Sequence, residues 1–363
     1  MTNSLEIFMN YLSQLTEKDF SKETVLVRVD LNVERLADSL RLRAIIPTLK
    51  FLLERGATII ILSHRGRPAG VDSALTLAPH AAYISEKIGE RVEFAPNMDN
   101  LPEGRVLLLE NLRFDPREEK DDNEFARKLA SLGTMYVNDA FAVSHRANAS
   151  VVAIAGFLPS YAGLLFEKEY NALSKVMAGA EHPLIFVIAG AKIADKLGVI
   201  ERFWDRADLF LLGGGPANTV LKAKGVDIQN SIYDEGLLDF ASKLAGSDKV
   251  IVPQDWEVGD HRILDIGPSS LRRFSEYISR AKTVVWNGPM GLYEDPRFKA
   301  GSEGVARAIA ESGAYSIVGG GETTELVIRL GLENKFSFVS TAGGAMLEFL
   351  SGKDLPGIEV LNF

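Results

Sequence analysis

Lys192 and Lys196 lie four residues apart just beyond the apolar run Leu184 to Ala189, with Gly190 between that run and the first lysine. Four residues is one helical turn, so both ammonium groups fall on one side of a helix that starts here. A helix N-terminus already carries unpaired N–H groups and partial positive charge, so two added lysines make a seat for a highly anionic ligand. Other runs extend this chemistry. Asp30-Leu31-Asn32 follows one apolar segment, Ser63-His64-Arg65-Gly66-Arg67 a second, Glu110-Asn111-Leu112-Arg113 a third, and Asn138-Asp139-Ala140-Phe141 a fourth, with His145-Arg146 close behind. Arg41 opens a helix expected over Arg41 to Arg55 and leans over the same residues. Arginine forks bind phosphate and carboxylate oxygens in pairs, so this set reads as a seat for a small phosphorylated acid.

A second set is rich in glycine: Gly190-Ala191-Lys192, Gly213-Gly214-Gly215-Pro216, Asn287-Gly288-Pro289-Met290-Gly291, Gly319-Gly320-Gly321-Glu322-Thr323 and Thr341-Ala342-Gly343-Gly344. Without a Cβ, backbone N–H groups can approach a ligand closely, and this pattern predicts a nucleotide held by its phosphates. Neither a P-loop string nor G-x-G-x-x-G is completed, since Asn218 and Thr324 occupy the last position of the two triplets. That counts against a Walker-type ATPase and a dinucleotide-dependent dehydrogenase. Glu322 and Asp195 are the acids nearest the expected phosphates, and either can hold Mg²⁺ within a metal–nucleotide complex. His64 and His145 flank the arginines as hydrogen-bond partners for the acid, whereas His80, His182 and His261 lie outside any motif.

These runs need elements to carry them. Short apolar segments at Thr24–Val29, Ala57–Leu62, Arg105–Leu109 and Thr134–Val137 alternate with helical patterns, and Leu184–Ala189, Asp208–Leu212, Lys249–Val252, Thr283–Trp286, Tyr315–Val318 and Phe336–Val339 repeat the theme. Such alternation predicts α/β architecture with two parallel sheets. Ligands of open parallel sheets bind beyond the carboxyl ends of strands, which is where both chemical series stand. Phe166, Tyr170, Leu173 and Met177 follow helical spacing and predict a linking helix over 164–180, between a first domain at 1–163 and a second at 181–346. The tail, 347–363, is expected to pack back on the first domain. Met1 to Phe20 reads as a helical lead-in without chemistry.

Composition sets the outer bounds. At 363 residues, with 46% hydrophobic and 25% charged residues, the chain suits about two globular domains. The absence of cysteine removes disulfides and thiolate metal sites and fits a cytoplasmic protein. No export signal or membrane-spanning run is evident. A net charge of −9 argues against nonspecific nucleic-acid binding, so the basic clusters are aimed at small anions.

The motifs VRVDLNV, SHRGRP, LLLENLRF, VNDAF with SHR, AGAKIADK, LLGGG, VVWNGPMGLYE, GGGET and STAGGA, in this order, resemble the phosphoglycerate kinase family over nearly the whole chain. The resemblance implies two Rossmann-like domains joined by an interdomain helix and hinge. It implies 3-phosphoglycerate on the first domain, Mg·ADP or Mg·ATP on the second, and hinge bending between them. Carried over, Asp30, Asn32 and His64 would contact the glycerate, with Arg41, Arg67, Arg113 and Arg146 on its phosphate and carboxyl ends. Leu31, Arg65 and Gly66 complete that loop set. Lys192 would stabilise the phosphoryl group in flight with Arg41, Gly320 and Gly321. Gly190, Lys196, Gly214, Asn287, Glu294 and the Gly320-Gly321-Glu322-Thr323 loop would bind the nucleotide, and Glu322 its Mg²⁺. The implied role is glycolytic or gluconeogenic, in the cytoplasm and as a monomer. Departures from the family pattern are Glu322 for a usual Asp, Ala342 for a usual Gly, Ala142-Val143 before Ser144-His145, and shorter stretches from Asn32 to Arg41 and Asp255 to Ile266. Glu322 and Ala342 motivate an alternative, a non-catalytic phosphoglycerate- or nucleotide-sensing protein on the same fold. An unrelated α/β small-molecule kinase is a third reading, and it leaves the nine ordered motifs without an account.

Overall fold

The computed structural model describes residues 9–37, 39–191 and 193–362, apart from the side chains of Asp195 and Leu197. Two compact units divide the chain, one formed by Met1–Asn171 with Asp354–Phe363 and the other by Ala172–Lys353. Lys192, and residues 1–8 of the expected lead-in helix, lie outside the described residues. The rest of that lead-in holds only a 3₁₀ turn at Leu12–Gln14, so no long helix forms there.

The first unit is built on six parallel strands, β1 (Thr24–Arg28), β2 (Thr58–Leu62), β3 (Val92–Ala95), β4 (Val106–Leu109), β5 (Met135–Asn138) and β6 (Ser160–Ala162). Their order is β3-β4-β2-β1-β5-β6. Strand β2 shows why the sheet is buried on both faces. Ile59 and Ile61 enter one core cluster with Val25 and Val27, while Ile60 and Leu62 enter another with Leu26 and Tyr136. Side chains alternate across a strand, so the four apolar residues Ile59 to Leu62 that follow Thr58 fill both clusters. Strands β3 and β6 were not expected from the sequence: Glu93 interrupts the first, and the second is a three-residue edge beside a proline. The first crossover helix is also two helices, Leu40–Ala44 and Ile46–Glu54. Pro47 at its second position lacks an N–H and its ring would press on the carbonyl of Arg43 in one continuous helix.

The second unit repeats the plan with β7 (Leu184–Ile188), β8 (Leu209–Leu212), β9 (Val250–Ile251), β10 (Trp256–Gly259), β11 (Arg262–Ile266), β12 (Thr283–Asn287), β13 (Tyr315–Gly319) and β14 (Phe338–Val339). Its parallel sheet runs β14-β13-β12-β7-β8-β9, and β10 with β11 forms a separate antiparallel hairpin not foreseen from the sequence. In each sheet the strand order reverses at a central pair, β1 beside β5 and β7 beside β12. Crossover helices leave such a pair in opposite directions and open a crevice beyond its carboxyl ends.

Asp139 follows β5 and accepts hydrogen bonds on Oδ1 from the amides of Leu165 (2.8 Å) and Phe166 (3.2 Å), at the start of the helix Leu164–Gly179. Burial is complete and raises its pKa to about 7 despite those bonds. A carboxyl whose folded pKa exceeds its unfolded value favours the folded state when protonated, so stability falls as pH rises from about 4 to about 7. The slope is on the order of 1 kcal/mol per pH unit. Asp139→Asn is therefore expected to flatten the urea-unfolding profile over this range; an unchanged slope would mean that Asp139 does not titrate there.

No helix among the described residues is long and apolar enough to cross a membrane.

Candidate functional site

In the first unit the loops after β1, β2, β4 and β5 converge. Asn32 Oδ1 accepts from the amide of Gly66 (2.9 Å), and Gly66 in turn accepts from Arg113 Nη1 (2.6 Å). Arg41 donates to the carbonyl of Asn32 (3.0 Å) and pairs with Asp30 (3.2 Å), which also accepts from the amide of Asn32. Leu31 is buried beneath them and donates its N–H to Ser63 Oγ. Arg65 is turned aside, bonding the carbonyls of Ala74 and Thr76, so its guanidinium already has partners away from the cluster. Arg67 is exposed, and Arg146 is half-buried with its Nε on His145. Burial lowers the pKa of Arg113 to about 10, against the opposing pull of Glu119. It remains cationic at neutral pH.

His64 sits at the centre. Burial, then the charges of Arg28, Arg113, Arg146 and Arg41, holds its pKa well below the ordinary imidazole range. It is therefore neutral at pH 7. Its Nδ1 lies 3.1 Å from Arg28 Nη2. A guanidinium can only donate, so Nδ1 accepts and the proton stands on Nε2, ready to donate to an anionic oxygen. Arg28 is given no role by the sequence motifs, and its one signal there is a charge inside the apolar strand TVLVR. It is 1% exposed and donates to Ser150 Oγ (2.9 Å) and the carbonyl of Val29. Ser150 Oγ passes its own proton toward the fully buried Glu118 at 2.5 Å, and Glu118 also accepts from the Ser150 amide. Nothing in the charge run Arg117 to Lys120 marks Glu118 as buried.

In the second unit the glycine-rich turns lie around the reversal between β7 and β12. Gly190, Gly214, Glu294 and Glu322 line one cavity of about 230 Å³ with Asn218, Trp256 and Met290. Gly214 adopts φ +51°, and a Cβ there would stand 2.8 Å from the Gly190 nitrogen, so only glycine lets the turns after β7 and β8 meet. Lys196 is buried in the first turn of the helix Ala194–Phe203 and donates to the carbonyl of Ala189. Across the crevice, Thr323 Oγ1 accepts from the amide of Gly288 (2.9 Å), beside the helix Gly321–Arg329 capped by Gly320. Asn287, 6% exposed, holds its Nδ2 without a partner beside Gly320. A buried donor with no acceptor is costly and suits a site that an anion completes. Glu322 is exposed in the first turn of that helix. One exposed carboxylate in the first turn of a helix is a donor that Mg²⁺ can use when nucleotide phosphates supply its other ligands, so Glu322 fits that ion.

The remaining histidines separate. His80 is 1% exposed in the core, His182 bonds Asp208 at 2.6 Å on the surface, and His261 occupies the exposed turn of the β10–β11 hairpin.

Comparison with known proteins identifies the family. The family model described as Phosphoglycerate kinase matches residues 15–353. A phosphoglycerate kinase of Thermomicrobium roseum is 44% identical, over 94% of this chain and 97% of its own. A cytosolic phosphoglycerate kinase of Triticum aestivum is 40% identical, over 96% of this chain and 97% of its own. The solved structure of phosphoglycerate kinase from Coxiella burnetii superposes with a TM-score of 0.83 at 34% identity, covering 98% of this chain and 99% of that one. No observation favours the non-catalytic alternative. The chain belongs to the phosphoglycerate kinase family, and it transfers a phosphoryl group reversibly between 1,3-bisphosphoglycerate and ADP, giving 3-phosphoglycerate and ATP.

Proposed function

We propose that the first domain, residues 1–163 with the tail 347–363, seats 3-phosphoglycerate, and that the second, 181–346, seats the magnesium–nucleotide complex. The observation that carries this reading is the convergence of Arg41, Arg113 and Arg146 on a neutral, buried His64. Three cations near enough to depress the pKa of that imidazole fit an acceptor with a carboxylate at one end and a phosphate at the other. Asp30 and Asn32 hold the glycerate hydroxyl, Leu31, Arg65 and Gly66 shape the loop beneath it with the Arg65 guanidinium turned aside, and Arg67 joins the arginines on the ligand's charged ends. The unpaired Asn287 Nδ2, Lys196, Gly190, Gly214 and the Gly320-Gly321-Glu322-Thr323 turn receive the nucleotide phosphates, with Glu294 toward the ribose.

The attacking oxygen is a carboxylate in one direction and a terminal phosphate in the other. Both are already ionised, so no general base is required. The work that remains is alignment and the offsetting of charge on the transferred group. Arg41, Lys192 and the amides of Gly320 and Gly321 carry that charge in this reading. Glu322 together with the nucleotide phosphates would hold Mg²⁺, which when bound would supply further charge neutralisation on the phosphate oxygens. Because the two ligands sit on different domains, hinge bending about the linking helix 164–180 belongs to the proposal, and water exclusion on closure limits hydrolysis. A cytoplasmic monomer completes it.

In a coupled assay with 3-phosphoglycerate and Mg·ATP, Lys192→Ala is expected to lower kcat by at least ~10²-fold, the typical loss for one preorganised charge, with little change in either KM. Near-normal turnover would remove Lys192 from the transfer step.

A further inference from the structure

Asn218 stands on the helix Gly214–Ala223, in the wall of the cavity that also holds Gly190, Glu294 and Glu322. It is 2% exposed. Its Nδ2 donates to the carbonyl of Ile232 at 3.1 Å, while its Oδ1 has no hydrogen-bond partner. That pairing orients the amide. A flipped amide would set oxygen against the Ile232 oxygen, so the unpaired atom is an acceptor and not a donor.

The surroundings say what kind of group the acceptor awaits. Trp256, Ile232, Leu221, Ile266, Met290 and Leu292 give the cavity a largely apolar lining suited to the flat faces of a purine. Glu294 and Glu322 are exposed at its mouth, whereas Asn218 is buried in its wall. A base that enters with its phosphates toward Asn287 and Lys196 brings the edge farthest from the sugar to that wall. In adenine this edge carries an amino group at position 6; in hypoxanthine and guanine it carries a carbonyl.

We propose that Asn218 determines base specificity: its Oδ1 accepts a hydrogen bond from the 6-amino group of adenine and disfavours nucleotides with a 6-oxo group. The inference rests on the reading that the second domain binds the nucleotide. A buried acceptor left facing a carbonyl loses a hydrogen bond and gains a repulsion, so discrimination on the order of tenfold is expected.

Three measurements on the full chain test it. The wild-type kcat/KM for Mg·ATP should exceed that for Mg·ITP by on the order of tenfold, and Asn218→Leu, similar in size but without the acceptor, should reduce the ratio to about twofold or less. A ratio unchanged in a folded Asn218→Leu protein overturns the proposal. Should the variant fail to fold because the Ile232 carbonyl loses its donor, calorimetry on the wild type decides. Purine riboside triphosphate, which lacks any 6-substituent, should bind on the order of tenfold more weakly than ATP, and equal affinity overturns the proposal. Fluorescence separates this failure from failure of the site itself. ATP should change an emission component that is missing in Trp256→Phe. A wild-type response with no base preference refutes only the role of Asn218; no response would place the nucleotide elsewhere and refute both.

Discussion

Gly288→Ala is expected to cost more than about 4 kcal/mol, in the range where single substitutions unfold domains of ordinary stability. Gly288 adopts φ +93°, and a Cβ built on it would stand 1.9 Å from the carbonyl oxygen of Ala189 and 2.4 Å from its carbon. Both atoms are backbone at the end of β7, and the Ala189 oxygen is the acceptor for Lys196. Relief therefore needs the two central turns of the second sheet to part. The same shift would break the bond from the Gly288 amide to Thr323 and that from Trp286 Nε1 to the Gly288 carbonyl, at 2.8 Å. Thermal unfolding should show a large fall in melting temperature, with turnover lost at temperatures where the wild type is active. A variant that melts within a few degrees of the wild type would show that this turn relaxes in a way its packing does not suggest.

Arg28→Met is expected to lose about 3–5 kcal/mol at pH 7.5, the range for removing one of two opposite buried charges, here bridged by Ser150. Methionine fills similar space beside Leu26 on that face of β1. It cannot donate to Ser150, Val29 or His64, however, and Glu118 then keeps a buried charge without its main electrostatic partner. Burial already raises the pKa of Glu118, and Arg28 is the leading influence holding it down. Without Arg28 the pKa rises further. A carboxyl raised in the folded state loses its penalty on protonation, so the deficit should be largest above neutrality and shrink as pH falls toward the unfolded value of 4.5. Urea titrations at pH 7.5 and 5 test both the size and the sign. The folded fraction should also bind 3-phosphoglycerate more weakly, because Nδ1 of His64 no longer has a fixed donor and either tautomer can form. A loss under about 1 kcal/mol would mean that water replaces the guanidinium.

Glu118 also shows where sequence reading ends. Within Arg117-Glu118-Glu119-Lys120 its neighbours are charged and exposed, yet it alone is fully buried, because the following turn directs it at Ser150, which lies 32 residues away in sequence. Asn218 is a similar case. Its place after Gly213-Gly214-Gly215 was visible as part of a failed dinucleotide motif, but the free Oδ1 depends on the distant Ile232 carbonyl. The hairpin of β10 and β11 is too short and too polar to stand out, and it nevertheless brings Trp256 to the cavity.

The sequence by itself determined the α/β class, ten of the strands, the arginine- and glycine-rich loops at their carboxyl ends, and the family. These are legible because apolar runs, turn glycines and motif order are local properties of the chain, and parallel sheets send chemistry to one edge. Only the tertiary structure decided that His64 is neutral with its proton on Nε2, that Arg65 turns away from the cluster, and that Arg28 and Glu118 support the site from below. Protonation and orientation follow from burial and from partners far apart in sequence, and both come into being only when the sheet closes.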